Sequence, residues 1–438
     1  MNRPLALLIF FSALSAQGAE TPARILSLDE VLATADKNQP QLRQARAAAL
    51  AAEARADFAL APLLPQVTGS AAYQRTTGNF ASRPGTTPSG VSGVGQSKSN
   101  FDTFNYYNLG VSASQLVYDF GQTSGRFFAA KAAADAERAT EQATLLSLRL
   151  TARTVYFQTR AARALMQVAQ ETLDNQERHL AQIQGFYEIG TRPQIDLVQA
   201  RSDRANARVQ LINAENGYET NKVRLNQAMG VEGPTDFDVK DEAFPEVSGE
   251  AKTIDELLDE AVKSRSELIS LLAELRSQEA TLGATQGGYG PSLSIGTALT
   301  DAGTDPKSLA WNWNAGATLT WQLFQGGATA AQVAEAHAEL EGLRAQVDAL
   351  RQQIRLEVDQ ARLAVKGTQA SLDASGEAVL FARQRLRLAE GRYETGVGSV
   401  IELSDAQLAL TSAEAQKVQA DLNLATARAQ LLQALGRP

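Results

Sequence analysis

Tyr187-Glu188-Ile189-Gly190 returns 206 residues later as Tyr393-Glu394-Thr395-Gly396. The match runs without a gap over the whole of Gly110 to Gly230 and Gly316 to Gly436. Gly110-Val111-Ser112 aligns with Gly316-Ala317-Thr318, and Ala228-Met229-Gly230 with Ala434-Leu435-Gly436. A period this long, present twice, is too large for a solenoid unit and marks two fused copies of one structural module.

The clearest part of the module is a seam. In the first copy, steps of three and four residues land on Leu148, Ala152, Val155, Thr159, Ala162, Met166, Ala169, Leu173, Gln176, Leu180, Ile183 and Tyr187. In the second they land on Ile354, Val358, Ala361, Val365, Thr368, Leu372, Ser375, Val379, Ala382, Leu386, Ala389 and Tyr393. The mean step is about 3.5 residues, the coiled-coil period, which implies left-handed winding on neighbouring helices. No proline falls between Pro88 and Pro193 or between Pro306 and Pro438. Thr123 to Ile189 is therefore predicted as one helix, roughly 100 Å long at about 1.5 Å per residue, with Thr329 to Thr395 as its twin. Short tips at 190–193 and 396–399 turn the chain into return helices, from about Gln194 to Met229 and from about Val400 to Leu435.

Each copy opens with a short helix, Leu28-Asp29-Glu30-Val31-Leu32 or Ile254-Asp255-Glu256-Leu257-Leu258, then an Ala-rich helix. Strands follow. Val67 to about Phe80 alternates loosely. A Gly/Ser/Thr/Pro-rich loop, 81–99, separates it from Tyr107, Leu109, Val111, Ala113 and Val117, which alternate with polar or small residues. In the second copy Trp311, Trp313, Ala315, Ala317, Leu319 and Trp321 alternate with Asn312, Asn314, Gly316, Thr318, Thr320 and Gln322. One greasy face with aromatic ends and one wet face suit a lipid-facing barrel with a watery lumen. A soluble sandwich strand shows the same alternation, but not beside such long helices. Four strands cannot close a membrane barrel, and an open edge in lipid leaves backbone groups unpaired. Two, three or four copies would supply 8, 12 or 16 strands. Residues 231–253, rich in Pro, Gly and acids, read as an irregular segment outside the helices.

Residues 1–19 read as a secretory signal, with Arg3, the apolar run Leu5 to Leu14 and a small-residue cleavage site. The chain has no cysteine and a net charge of -8 with no basic block, so disulfides, thiolate chemistry and nucleic-acid binding are not expected. His179 and His337 sit in charged helical stretches and are expected to be solvated. No catalytic or metal constellation is visible, so neither enzyme activity nor a cofactor is expected.

A signal, two copies of helix–strand–strand–long helix–tip–helix, and the tip motif twice over resemble the TolC family of outer-membrane efflux proteins across nearly the whole mature chain. The resemblance implies a mainly α protein with a β membrane portion. A 12-stranded transmembrane β-barrel, four strands per chain closed by homotrimerisation, would continue into a long α-helical barrel in the periplasm. It implies a passive gated duct of a tripartite efflux or type I secretion system, with domains 1–19, 20–230, 231–253 and 254–438. The implied partners are a periplasmic adaptor protein and, through it, an inner-membrane pump. Tip residues Gly190, Thr191, Arg192, Gly396, Val397 and Gly398 would meet the adaptor. Trp311, Trp313, Trp321 and Tyr107 would form the aromatic girdle in outer-membrane lipid.

Glu402 and Asp405, at i, i+3 spacing, put two carboxylates on one helix face. They resemble the acidic ring at the family's constriction, and Asp196 and Tyr393 resemble partners in its closing lock. The chain departs from the pattern at Gly398, where the family has a basic lock residue; Arg192 on the other tip is the candidate replacement. A periplasmic adaptor or another long-helical scaffold without a pore is the alternative reading; an adaptor would show one hairpin flanked by compact β domains.

Overall fold

The computed structural model describes residues 24–77, 103–250 and 252–438. The signal at 1–19, the loop at 81–99 and the last residues of the strand expected up to Phe80 lie outside the described residues. The elements run β1 (Arg24–Leu26), α1 (Leu28–Asn38), α2 (Pro40–Leu60), a 3-10 turn Ala61–Leu63, β2 (Gln66–Thr77), β3 (Thr103–Tyr118), α3 (Gln122–Glu188) and α4 (Gln194–Met229). Then come β4 (Phe237–Val239), α5 (Ile254–Ser264), α6 (Ser266–Gly287), β5 (Ser292–Gly303), β6 (Ala310–Thr320), α7 (Ala328–Glu394) and α8 (Val400–Ala434). The long helices α3 and α7 hold 67 residues each.

The duplication is written in the backbone. Left-handed residues recur at the same offset of 206: Phe120 (φ 57°) with Gly326 (61°), Gly121 (87°) with Gly327 (86°), Gly190 (78°) with Gly396 (79°), and Gly230 (68°) with Gly436 (69°). The first two pairs turn strand into long helix, where Asp119 accepts the Thr123 N–H at 2.7 Å. The other pairs end helices. Thr191 N donates to the Phe186 carbonyl and Val397 N to that of Arg392, both at 3.0 Å. Such six-to-one bonds around a left-handed glycine satisfy the orphan carbonyls of a helix end.

The chain forms two compact units. One comprises the residues up to Gln39 with Arg149–Glu246 and Lys366–Ala429. Here β1 and β4 pair in parallel, Arg24 with Phe237 and Leu26 with Val239. Tyr156 and Phe157 of α3 are buried beneath this strap; Phe157 packs on Phe244 at 5.3 Å. The Tyr156 hydroxyl lies 2.9 Å from Glu242 Oε1 and 3.0 Å from the Lys240 carbonyl. Burial works against the Glu242 carboxylate, but the Leu28 N–H, Tyr156 and Lys240 outweigh it and hold its pKa below the usual range. Arg163 reaches Asp238 at 2.7 Å, and Arg160 reaches Asp241 at 2.7 Å. The 231–253 segment, expected to be irregular, thus contains a short paired strand.

The other unit comprises Pro40–Leu148, Val247–Val365 and Gln430–Pro438. It holds a four-stranded antiparallel sheet in the order β2-β3-β5-β6. Small residues bring α3 and α6 close: a Cβ at Gly125 would lie 2.8 Å from Ala284 Cβ. Ser277 donates across the same contact to the Ala129 carbonyl at 2.8 Å.

Each unit carries the same clasp. Gln39 Nε2 donates to the Gln227 and Ala228 carbonyls at the end of α4, and Gly230 abuts Asn38. Arg265 donates to the Ala434 carbonyl, and Gly436 abuts Ser264. A Cβ at Gly230 would meet Asn38 C at 2.9 Å, and one at Gly436 would meet Ser264 C at 2.7 Å.

The seam is buried or half-buried with one exception. Tyr393 is 2 % exposed, but its counterpart Tyr187 is 39 % exposed, so the seam stops short of the first tip. The strand pattern also needs a correction at Val117. A bulge lets Leu116 pair with Ser294 and Tyr118 with Leu293, so Tyr118, not Val117, continues the apolar face.

Gly230→Ala and Gly436→Ala are each expected to cost about 1–3 kcal/mol, because a Cβ there meets both an unfavourable φ and neighbouring backbone. Gly217→Ala, in α4 with open space around it, is expected to gain roughly 0.5–1 kcal/mol. Thermal unfolding checks the opposite signs; a loss at Gly217 or none at Gly230 and Gly436 contradicts the clasp.

Candidate functional site

Two regions concentrate the unusual features, the sheet in one unit and the helical tips in the other. On the sheet, the register gathers Val67, Ala71 and Tyr73 of β2 with Tyr107, Leu109 and Val111 of β3. Leu293, Ile295 and Leu299 of β5 and Trp311, Trp313, Ala315, Ala317 and Leu319 of β6 share that face. Trp311 is 76 % and Trp313 62 % exposed, so both rings stand largely uncovered by the described residues. Trp313 Nε1 donates to Thr297 Oγ1 at 2.9 Å, and the Tyr73 and Tyr107 rings lie 5.1 Å apart. Trp321 falls just past the end of β6, where its indole donates to the Tyr289 carbonyl at 3.1 Å. Ten residues separate Trp311 from Trp321, roughly 34 Å along a strand and roughly 26 Å of depth at the tilt of a membrane barrel. That matches the apolar band of an outer-membrane wall.

The opposite face reads Thr68, Ser70, Asn108, Ser112, Ser114, Ser294, Thr300, Asn312, Asn314 and Thr318, and none of the four strands places a charged residue on it. The strands' two charged residues, Arg75 and Asp301, lie on the apolar face toward the end marked by Tyr73, Tyr107 and Trp311. Among the described residues β2 and β6 pair on one side only, leaving two open edges. No described helix is long and apolar enough to cross a membrane.

At the tips, α3 and α7 end in the same backbone turn, but the side chains differ. Tyr393 sits in a cluster with Ile183, Leu197, Ala200, Leu386, Ala389, Leu403 and Ala406. Arg192, from the other tip, lays its guanidinium 4.6 Å from the Tyr393 ring centre and 3.9 Å from Asp196. The structure therefore brings Arg192, Asp196 and Tyr393 together. The Tyr393 hydroxyl is buried without a hydrogen-bond partner among the described residues. Burial raises its pKa, with Arg192 opposing and Asp196 adding to the rise. Gly398 leaves no room for a side chain: its N–H donates to the Arg392 carbonyl at 2.8 Å, and a Cβ would lie 2.9 Å from Tyr393 N. Glu402 pairs with Arg392 at 3.2 Å, and Ser399 Oγ accepts the Glu402 N–H at 3.1 Å. Asp405 is exposed on the same helix. Gly190, Thr191, Gly396 and Val397 are exposed at the turns.

His179 overturns the expectation of a solvated histidine. It is buried against Tyr393, while His337 is exposed. The charged residues around it in the sequence, Glu177 and Arg178, hide its position four residues before Ile183 on the seam. The Arg392–Glu402 pair was not foreseen either, because it joins two helices across a turn. Among the described residues no group of three His, Cys, Asp or Glu side chains is placed to hold a metal ion.

A family model described as outer membrane efflux protein matches residues 31–231 and 257–437, one stretch for each copy of the module. The chain belongs to the outer membrane efflux protein family. It is, as a member, an outer-membrane channel component of efflux machinery. The pyoverdine export outer membrane protein OpmQ of Pseudomonas putida is 26% identical over 422 residues, covering 93% of this chain and 85% of its own. Outer membrane protein TolC of Escherichia coli is 24% identical over 456 residues, covering 100% of this chain and 87% of its own. The fold is that of solved channels. VceC of Vibrio cholerae superposes with a TM-score of 0.80 at 18% identity, covering 94% of this chain and 96% of that one. The open state of MtrE of Neisseria gonorrhoeae gives 0.78 at 21%, covering 95% and 89%.

Tyr393→Ala is expected to cost about 3–5 kcal/mol of local stability, as for other buried aromatic truncations. Tyr187→Ala, half exposed, should stay within about 1 kcal/mol. Hydrogen exchange of the tip amides separates the two; equal effects would show that the tips are packed alike.

Proposed function

We propose that three copies of this chain close their sheets into one 12-stranded barrel in the outer membrane and set their helices into a periplasmic tunnel. The assembly is a passive, gated exit duct. The observation that carries this reading is the sheet: one face greasy and uncovered, the other uncharged and polar, both edges open. In lipid, unpaired edge groups cost several kcal/mol each, and only closure removes them. The end bearing the strand-to-helix turns faces the periplasm, and the other end faces outside.

The tips form the gate. Asp196 and Tyr393, tied through Arg192, hold the closed state in place of a basic residue at Gly398. Glu402 and Asp405, repeated by threefold symmetry, line the constriction and favour cations. Gly190, Thr191, Arg192, Gly396, Val397 and Gly398 offer the docking surface for a periplasmic adaptor, which links the duct to an inner-membrane pump. The relatives' names carry different cargoes, pyoverdine, toluene and antibiotics, at 24% to 26% identity to this chain. Cargo choice is therefore assigned to the pump, not to the duct.

Planar-bilayer recording of the purified protein tests the reading. A cation-preferring conductance is expected, blocked by multivalent cations, with the block weakened by Glu402→Ala combined with Asp405→Ala. A protein that stays out of the membrane fraction and never conducts would instead be an adaptor or scaffold. Unchanged block in the double variant removes both residues from the constriction.

A further inference from the structure

His179 is 6 % exposed, and its Nε2 is buried with no hydrogen-bond partner among the described residues. Its ring meets that of Tyr393 at 64° with centroids 5.4 Å apart. The same Tyr393 ring carries the Arg192 guanidinium at 4.6 Å, and its own buried hydroxyl is unpartnered. One aromatic ring thus contacts both a neutral imidazole and a permanent cation. The surroundings supply little to hold a second positive charge. α8 brings Leu403 and Ala406 to the Tyr393 cluster, and α7 brings Leu386 and Ala389. On α4, Asp196 is already engaged by Arg192, and Asp203 is the carboxylate whose field reaches the imidazole. On α3 itself, Glu177 is paired with Arg204 at 2.9 Å, and Arg178 turns to Asn175.

We propose that His179 is a positioning residue of the closed tip: its neutral imidazole braces Tyr393, and its protonation releases Tyr393 so that the tip loosens in acid. A buried charge without a hydrogen-bonded partner is strongly disfavoured, so the imidazolium is better accommodated when the tip opens to water. Burial pushes the imidazole pKa below the ordinary histidine value, with Asp203 working against that shift. The sign follows. A loosened tip regains an ordinary pKa near 6.5, so it binds protons more readily than the packed tip. The packed tip loses stability as pH falls below about 6.5, and the loss levels off once pH passes below its own lower pKa.

The meaning of loosening as gate opening rests on the duct reading above, but the test does not. Hydrogen exchange of tip amides (183–200 and 386–406), corrected for intrinsic rates, is measured at pH 7.5 and 5.5 on the purified full chain. In the wild type, protection is expected to fall with acid, by up to about tenfold, the limit set by pH 5.5 lying about one unit below the ordinary histidine pKa. His179→Gln, neutral at both pH values, should lose most of that dependence, and His179→Asn serves if the Gln variant folds poorly. A wild type whose protection does not change overturns the proposal, as does a His179→Gln protein with the same acid response, which would point to the carboxylates instead. Conductance recorded at the same pH values adds the functional reading. Absence of any pore at either pH would count against the duct alone, since exchange needs no pore.

Discussion

Backbone amides at the open edges of β2 and β6 set the terms for this molecule. A four-stranded sheet with a bare apolar face can enter lipid only if every edge group finds a partner. One chain offers two edges and no means of joining them across so few strands. Copies of the same chain, arranged in a ring, solve the problem because each β2 can meet a neighbour's β6. In the proposed ring the polar face would turn inward, where its hydroxyl and amide side chains are wetted, and the tryptophans would turn outward.

Duplication makes such a ring easy to tile. Four pairs of left-handed residues, spaced identically, turn the chain in the same way twice. The Gln39 and Arg265 clasps end the two return helices in the same manner. The copies part company at the tips. Tyr393 is buried and Tyr187 half exposed; Arg192 has a long side chain where Gly398 has none. A symmetric tube needs equal hairpins, but a gate needs one hairpin that can move against the other. In the duct proposed above, this difference at the tips is what would let their packing be bistable.

Much of this was legible in the residues. Proline spacing and the seam place a helix over Thr123 to Ile189, and α3 runs Gln122–Glu188. Alternation around Trp311 and Trp313 assigns their face, because a strand's period of two is simple. The pairing of β1 with β4 was not legible: two three-residue strands more than 200 positions apart carry no periodicity. Tyr156 and Phe157 lie off the seam, and a second buried face on α3 is what their adjacency could have signalled. The bulge at Val117 breaks the alternation without leaving a mark in composition. At the tip, the residue types of the candidate site were readable, but the reach of Arg192 to Tyr393 and the burial of His179 depend on rotamers and neighbours that no spacing encodes.

The chain has no cysteine, so engineered thiols report edge pairing without interference. Thr68→Cys in β2, combined in turn with Asn312→Cys, Asn314→Cys or Thr318→Cys in β6, places one thiol on each open edge. Oxidation of the membrane-embedded protein should link chains through at least one of these pairs, and denaturing gels should show species up to a covalent trimer and none larger. Chains that remain monomeric in every combination, or that link into tetramers, contradict the shared wall of three.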